Sequence, residues 1–284
     1  MFTPPPAALR RRLARLRARG EPLGVSELAQ QLLALRTPLE PSLARRVVAV
    51  ALGQPETALR DPLEPCQLRP AEEAAVAGVR LEQADFAVVD LETTGLSVER
   101  ASILEIGAVR VSRLECVARF ATLVRPPRAV PRRIADLTGI DAAALADAPA
   151  PGRALRAFHG WLAQASAAPF VAHNAPFDAR FLGRAFADQR LAPHRGPLLC
   201  TRRLARRILP ELGRYDLDHV CAHFGIANRA RHRALGDAEA TARVLIELLQ
   251  CARGGSAVQT LGDLLDLQER PPPKRRAGRR RAGG

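Results

Sequence analysis

Hydrophobic positions along the chain change their period near residue 85. Before that point they recur at helical spacing, with Leu9, Leu13 and Leu16 on one face, Val25 and Leu28 around Ser26, and an apolar run from Ser42 to Leu52 behind two prolines. Ser26 has the chemistry of an N-cap, since its hydroxyl can accept from a free first-turn amide. Three short helices followed by the irregular stretch holding Pro55, Pro62, Pro65 and Pro70 predict a small helical module over residues 1–80, of winged-helix type or a plain helical docking or dimerisation unit. From Asp85 the alternation is that of strands: Phe86 to Glu92, Ile103 to Val111 and Ala118 to Val124, joined by short polar turns, which predicts three consecutive antiparallel strands.

Beyond the meander the pattern alternates. A helix is predicted over Ala154 to Gln164, a short strand at Phe170 to Ala172, a helix over Ala175 to Gln189 and a fifth strand at Leu198 to Cys200. Helices then follow near Arg202 to Leu209, Leu217 to Phe224 and Ala234 to Gln250. A strand meander leading into alternating helices and strands implies an α/β fold, a mixed five-stranded sheet flanked by helices. The expected organisation is a helical module at 1–80, an α/β domain at 82–252 and a basic tail at 253–284. Gly/Pro/Arg composition argues that this tail is largely disordered, apart from a short helix at Leu261 to Leu267.

Charge sharpens this division. The formal net charge is +14, yet residues 1–20 carry six arginines and residues 270–284 carry six arginines and Lys274, neither segment with an acid. The body is therefore close to neutral, and the cationic ends suit polyanion attachment through release of condensed counterions. The same charge would also serve as a solvated helix face and tail. No apolar run approaches the ~20 residues needed to span a bilayer, which predicts a soluble protein of the cytoplasm. The five cysteines are scattered without a C-x-x-C pair, as expected of free thiols in a reducing compartment.

The candidate chemistry is a set of carboxylates. Asp90 and Glu92 lie two apart on an apolar strand, so both project from one face. Two like charges against a core are costly unless a cation compensates, and a divalent metal is the usual one. Asp178 falls where a strand passes into a helix opened by Pro176, and Asp237 opens the last long helix. Hard oxygen ligands in that number suit Mg²⁺ or Mn²⁺ rather than zinc. Two such ions about 3.5–4 Å apart activate a water and stabilise the departing oxygen in attack on phosphorus. His232 precedes Asp237 by five residues, and on one helix the two would diverge by roughly 140°. His232 is therefore placed in a loop before the helix, where it can take a proton from the attacking water. A second constellation, His219, Cys221 and His223, has the spacing for zinc on a helix face but lacks a fourth ligand.

Three segments carry a family resemblance. Asp90-x-Glu92-Thr93-Thr94-Gly95, His173-Asn174-x-x-Phe177-Asp178 and His232-Arg233-Ala234-x-x-Asp237-Ala238 resemble the three motifs of the DEDDh, or DnaQ-like, 3′→5′ exonucleases. The look is that of the epsilon proofreading subunit of bacterial DNA polymerase III and its stand-alone relatives. The resemblance runs from about Asp85 to Leu249 and includes Leu104-Glu105-Ile106-Gly107-Ala108 and Leu137-Thr138-Gly139-Ile140. It implies an RNase H-like fold and a hydrolase acting on the 3′ end of a nucleic acid, DNA in the first instance. Asp90, Glu92 and Asp237 would hold one metal, Asp90 and Asp178 a second, with His232 as general base. It further implies that Thr93, Thr94 and Gly95 hold the terminal nucleotide, that Leu96 wedges against its base, and that His173, Asn174 and Phe177 line the substrate site. A polymerase or another replication or repair protein would be the partner, at the bacterial nucleoid.

Tyr215, the single tyrosine, is too far from Asp237 to be the base of the sister Tyr-type enzymes. Two departures stand out: Cys200-Thr201 replaces the family's frequent Asp-Thr, and no sliding-clamp motif of the Gln-x-x-Leu-x-Phe kind is found. Two other readings stay open at this stage: an exonuclease of RNA 3′ ends, and a nucleic-acid-binding adaptor built on a vestigial nuclease fold.

Overall fold

The computed structural model describes residues 29–30, 76–165, 167–228, 230–254 and 258–270. The chain divides into two compact units, residues 1–64 and 65–284. Of the helical module expected at 1–80, only Ala29, Gln30 and residues 76–80 are described, and the predicted basic tail beyond residue 270 lies outside the described residues.

In the second unit, β1 (Asp85–Thr93), β2 (Ile103–Ser112) and β3 (Glu115–Leu123) form the predicted antiparallel meander. β2 turns into β3 through Arg113 and Leu114, both at positive φ (51° and 64°), the two-residue hairpin geometry whose twist matches the strands it joins. β4 (Phe170–Ala172) pairs parallel with β1, and β5 (Leu198–Cys200) parallel with β4, giving the order β3-β2-β1-β4-β5. This is the mixed five-stranded sheet the sequence predicts. The helices are α1 (Arg132–Thr138), α2 (Pro151–Ala163), α3 (Ala175–Asp188), α4 (Thr201–Ile208), α5 (Leu217–His223), α6 (Ala234–Gly254) and α7 (Leu261–Glu269). None of the described helices is long and apolar enough to cross a membrane.

Strand alternation sorts the core into two layers. Phe86 and Val88 of β1, with Val109 and Val111 of β2, pack against Ala238, Val244, Leu245 and Leu248 of α6. Ala87, Val89 and Leu91 point the other way, onto Phe158 and Leu162 of α2 and Phe181, Leu182 and Phe186 of α3. That parity decides where the chemistry sits, because Asp90 and Glu92 belong to the α6 side.

The C-terminal boundary differs from expectation. α7 begins with a capping box, in which Thr260 Oγ1 accepts from the Asp263 amide and the Asp263 carboxylate from the Thr260 amide. Its Leu261 and Leu264 are buried in the same cluster as Leu81 and Val258. Leu81 N donates to Gln259 O and Leu261 N to Val79 O, so residues just ahead of β1 clasp those just ahead of α7. Gln268 then closes the open edge of β5: its Oε1 accepts from the Cys200 amide and its Nε2 donates to Leu198 O. An edge strand so covered offers no template for another chain. The folded unit therefore extends past the expected limits of 82 and 252.

Each fully buried Leu or Val is worth about 1.5–3 kcal/mol, and a domain of this size has only ~5–15 kcal/mol in total. A chain of residues 82–252, which lacks Leu81, Val258, Leu261 and Leu264, should melt far below one of residues 76–270, or not fold. Equal urea midpoints for the two would show that the clasp contributes nothing.

Candidate active site

Four carboxylates and one histidine meet at the carboxyl end of β1. Asp90 and Glu92 leave the strand on the α6 side, and α6 brings Asp237 in its first turn. β4 runs parallel beside β1 and ends at Ala172, so the helix that follows presents Asp178, also in a first turn, to the same place. Both helix N-termini add positive potential where negative charge collects. The approach of α6 depends on Gly107, which lies opposite Asp90 in the ladder. A Cβ there would fall well inside van der Waals distance of the Ala234 and Leu235 backbone, so only glycine lets the helix seat against β2.

Asp237 is held by two donors, Asn228 Nδ2 on Oδ1 and the His232 amide on Oδ2 (3.0 Å). His232 stands just before α6 in the left-handed region (φ 57°), outside the helix as expected of a loop residue. Ligating atoms of Glu92, His232 and Asp237 all lie within 4.8 Å of one another. Asp90 and Asp178 fall outside that tight triad, but Asp178 and then Asp237 are the charges that act most strongly on Asp90.

The electrostatics are those of a site short of cations. Burial, then Asp178, Asp237, Glu92 and Glu105, push the Asp90 carboxyl well above the usual carboxylate range. Burial lifts Asp178 to about 8 against hydrogen bonds to backbone at Asp178 and Leu91. Burial, Asp237 and Glu105 raise Glu92 to about 7. Desolvation also raises Asp237, despite its two donors. The donor set, four clustered carboxylates with a neighbouring imidazole, fits hard divalent cations.

This predicts an inverted pH response for the metal-free protein. Unfolded carboxylates titrate near 4, whereas these titrate higher when folded, so between the two the folded state binds more protons and loses stability as pH rises. In EDTA the melting temperature should fall from about pH 5 to pH 8, and added Mn²⁺ should reverse the fall most strongly at the high end. A metal-free protein that gains stability over that range would contradict the crowding.

The remaining predicted substrate residues divide into two groups. Thr93 is buried and its Oγ1 donates to Gly95 O (2.8 Å), while Thr94 exchanges bonds with Ser102, its amide donating to Ser102 O and its Oγ1 accepting from Ser102 N (both 2.9 Å). The loop so braced leaves Leu96 85% exposed beside the carboxylates' strand, a large apolar side chain with no core to join. Phe177 is half-buried against Phe181 (centroids 4.8 Å apart), and Asn174 is exposed at the start of α3. His173 is engaged differently. Its Nε2 lies 2.9 Å from Tyr215 O, a pure acceptor, so that nitrogen carries the proton, and Thr201 Oγ1 (3.0 Å) then donates to Nδ1. Burial depresses its pKa to about 4, keeping the ring neutral. Both ring nitrogens are thus committed within the protein, and the ring ties α3's entry to α4 and to Tyr215.

Sequence reasoning passed over Glu105 as a working residue. It faces Glu92 across the β1–β2 ladder, where like charges repel. Arg233 holds it with two bonds (Nε 3.1 Å, Nη2 2.8 Å), and the Ala234 amide adds a third (2.9 Å). Glu105 therefore pins the segment that carries His232 onto β2. The signal available was an acid between Leu104 and Ile106 in the apolar half of a strand, legible only once its partner 128 residues away is known. Asn228 was missed for the same reason.

The zinc alternative does not assemble. His219 turns its Nδ1 to Asp216 Oδ1 (2.6 Å), Cys221 is buried with its thiol pushed up to about 11, and His223 is exposed against Phe224. Of the departures, Cys200 hands its amide to Gln268, and Thr201 serves His173.

Over 165 residues the chain is 36% identical to the DNA polymerase III subunit epsilon of Aquifex aeolicus (strain VF5), covering 58% of this chain and 80% of that protein. It is 39% identical over 165 residues to the PolC-type DNA polymerase III of Oceanobacillus iheyensis, covering 58% of this chain but only 11% of that much longer protein. Among solved structures, exonuclease X in complex with 5′ overhanging duplex DNA is 27% identical with a TM-score of 0.52, covering 64% of this chain and 99% of that one. The nuclease domain of 3′hExo, a DEDDh family member, shares the fold at 20% identity and a TM-score of 0.53, covering 61% and 94%. The RNase_T family model, described as exonuclease, matches residues 87–245, more than half of the chain, and the protein belongs to that exonuclease family.

Proposed function

We propose that this exonuclease removes nucleotides one at a time from the 3′ end of DNA, with Asp90, Glu92, Asp178 and Asp237 holding two divalent cations, Mg²⁺ or Mn²⁺, and His232 as general base. The observation that carries the reading is the convergence of four mutually repelling carboxylates with an imidazole at the end of one strand. When bound, the cations supply Lewis-acid stabilisation of the charge that develops at the phosphate. The chain's own residues do the rest. The Thr93–Gly95 backbone holds the terminal nucleotide, Leu96 packs against its base, and Phe177 closes the other side. His232 accepts the proton of the attacking water, positioned by the hydrogen bond its backbone N–H donates to Asp237 and by the Glu105–Arg233 clamp behind it. His173 acts as a positioning residue for α3 rather than touching substrate.

Relatives named as subunits or forms of DNA polymerase III favour a role beside a polymerase in replication or repair, in the cytoplasm. The test uses matched DNA and RNA strands labelled at the 5′ end. A ladder shortening by single nucleotides from the 3′ end, present with Mg²⁺ or Mn²⁺ and absent with EDTA, is expected, with DNA cut faster. Internal cleavage, or a rate indifferent to EDTA, would refute the assignment; faster RNA hydrolysis would reassign the substrate.

A further inference from the structure

A groove opens on the exposed side of the loop that follows β1. It encloses about 360 Å³, begins at Thr94, Gly95 and Leu96, and is walled by Arg100, Arg128 and Arg133. Its lining contains three arginines and no acidic residue, in contrast to the four carboxylates one loop away. Of the neighbouring arginines, Arg132 is paired with Asp136 and Arg184 with Asp188. Arg100, Arg128 and Arg133 form no ion pair among the described residues. The groove shares Arg100, Ala101, Ser102 and Arg128 with a second depression whose lining also holds Glu99, Arg184 and Asp188.

Three guanidinium groups on one wall form a receptor for polyanionic oxygen, since a planar fork of N–H donors matches phosphate; Arg100 feels the neighbouring Glu99 carboxylate, while Arg128 and Arg133 form no ion pair among the described residues. The groove starts at Leu96, where the terminal base would stack, and leads away from the carboxylates. A strand whose 3′ end sits at Asp90 must leave the site somewhere, and a cationic wall is where its backbone is least opposed. We infer that Arg100, Arg128 and Arg133 bind the backbone phosphates of the nucleotides 5′ to the one being removed, a track for the incoming single strand. The inference rests on the exonuclease reading above and adds to it the path of the undigested strand. Because these interactions are made alike before and during the reaction, they lower KM and leave kcat in place.

The test compares the full-length protein with Arg128→Ala and Arg133→Ala on two substrates in the presence of Mn²⁺. One is a twelve-nucleotide DNA single strand; the other is the p-nitrophenyl ester of thymidine 5′-monophosphate, which has no upstream phosphate. Arg243→Ala, an exposed arginine near Cys116 on the outer strand, controls for net charge. Each groove variant should raise KM for the strand about tenfold relative to that control, the worth of one charge-assisted bond. The slope of log affinity against log salt should become shallower by about 0.7 for each phosphate that is no longer neutralised. The ester should be hydrolysed by the groove variants as by the control. If the wild-type protein hydrolyses both substrates but the groove variants match Arg243→Ala on the strand, the track is overturned. Equal losses on ester and strand would overturn it too, by placing these arginines at the terminal nucleotide. A wild-type protein inert on both substrates would instead refute the exonuclease reading.

Discussion

Asp90→Asn and Asp237→Asn should each reduce hydrolysis of a 3′ end by on the order of 10³-fold or more while leaving the protein folded. The argument is electrostatic. Asp90 is the carboxylate most opposed by its neighbours, with Asp178, Asp237, Glu92 and Glu105 all raising its pKa on top of burial. Such a group gains little in the metal-free fold and finds its partner only in a bound cation. Removing its charge relieves repulsion, so in EDTA the Asp90→Asn protein should melt at or above the wild-type temperature. With Mn²⁺ the order should invert, because the wild-type protein gains stability from metal that the variant binds weakly. Asp237→Asn is the sterner case, since its carboxylate also receives the Asn228 side chain and the His232 amide. The amide replacement keeps one acceptor oxygen for these donors, so activity should fall more than stability does. A variant that keeps more than a few per cent of wild-type activity at saturating Mn²⁺ would remove these residues from the metal site.

Much of this centre could be read from local sequence because its parts obey local rules. Asp90 and Glu92 share a face through strand alternation, and Asp178 and Asp237 each follow a recognisable helix start. The short strands β4 and β5 were legible for the opposite reason: each is a brief apolar run between breakers. What escaped depended on packing between distant segments. α1 is a seven-residue helix with Thr138 as its one buried residue, too short and too polar to leave a periodic trace. α7 shows its helical spacing plainly, yet nothing local reveals that Leu261 and Leu264 share a core with Leu81, some 180 residues upstream. Glu105 resembles any acid in a strand until Arg233 is seen to hold it. The zinc-like trio had no fourth ligand in the sequence, and in the structure Asp216 takes His219 while Cys221 joins the core.

His232 raises a sharper question, because its position admits two jobs. Its ring lies within 4.8 Å of Glu92 and Asp237, close enough to be a metal ligand as well as a base. The backbone favours the base. The amide, not the ring, is what bonds Asp237, and the left-handed φ of 57° turns the residue out of α6 at the helix's first turn. Alanine would remove the ring but would also be strained at this φ, mixing a backbone effect with the chemical one. Asparagine tolerates the left-handed region better and cannot act as a base at neutral pH, so His232→Asn isolates the ring. Both variants should lose about 10²–10⁴-fold in kcat, the usual worth of a positioned proton transfer, with His232→Asn melting closer to the wild-type protein. Mn²⁺ affinity and KM for a single strand should change little, since a base binds neither. Should Mn²⁺ affinity instead fall in step with rate, the imidazole is a ligand, and the proton of the attacking water must be taken by a different group.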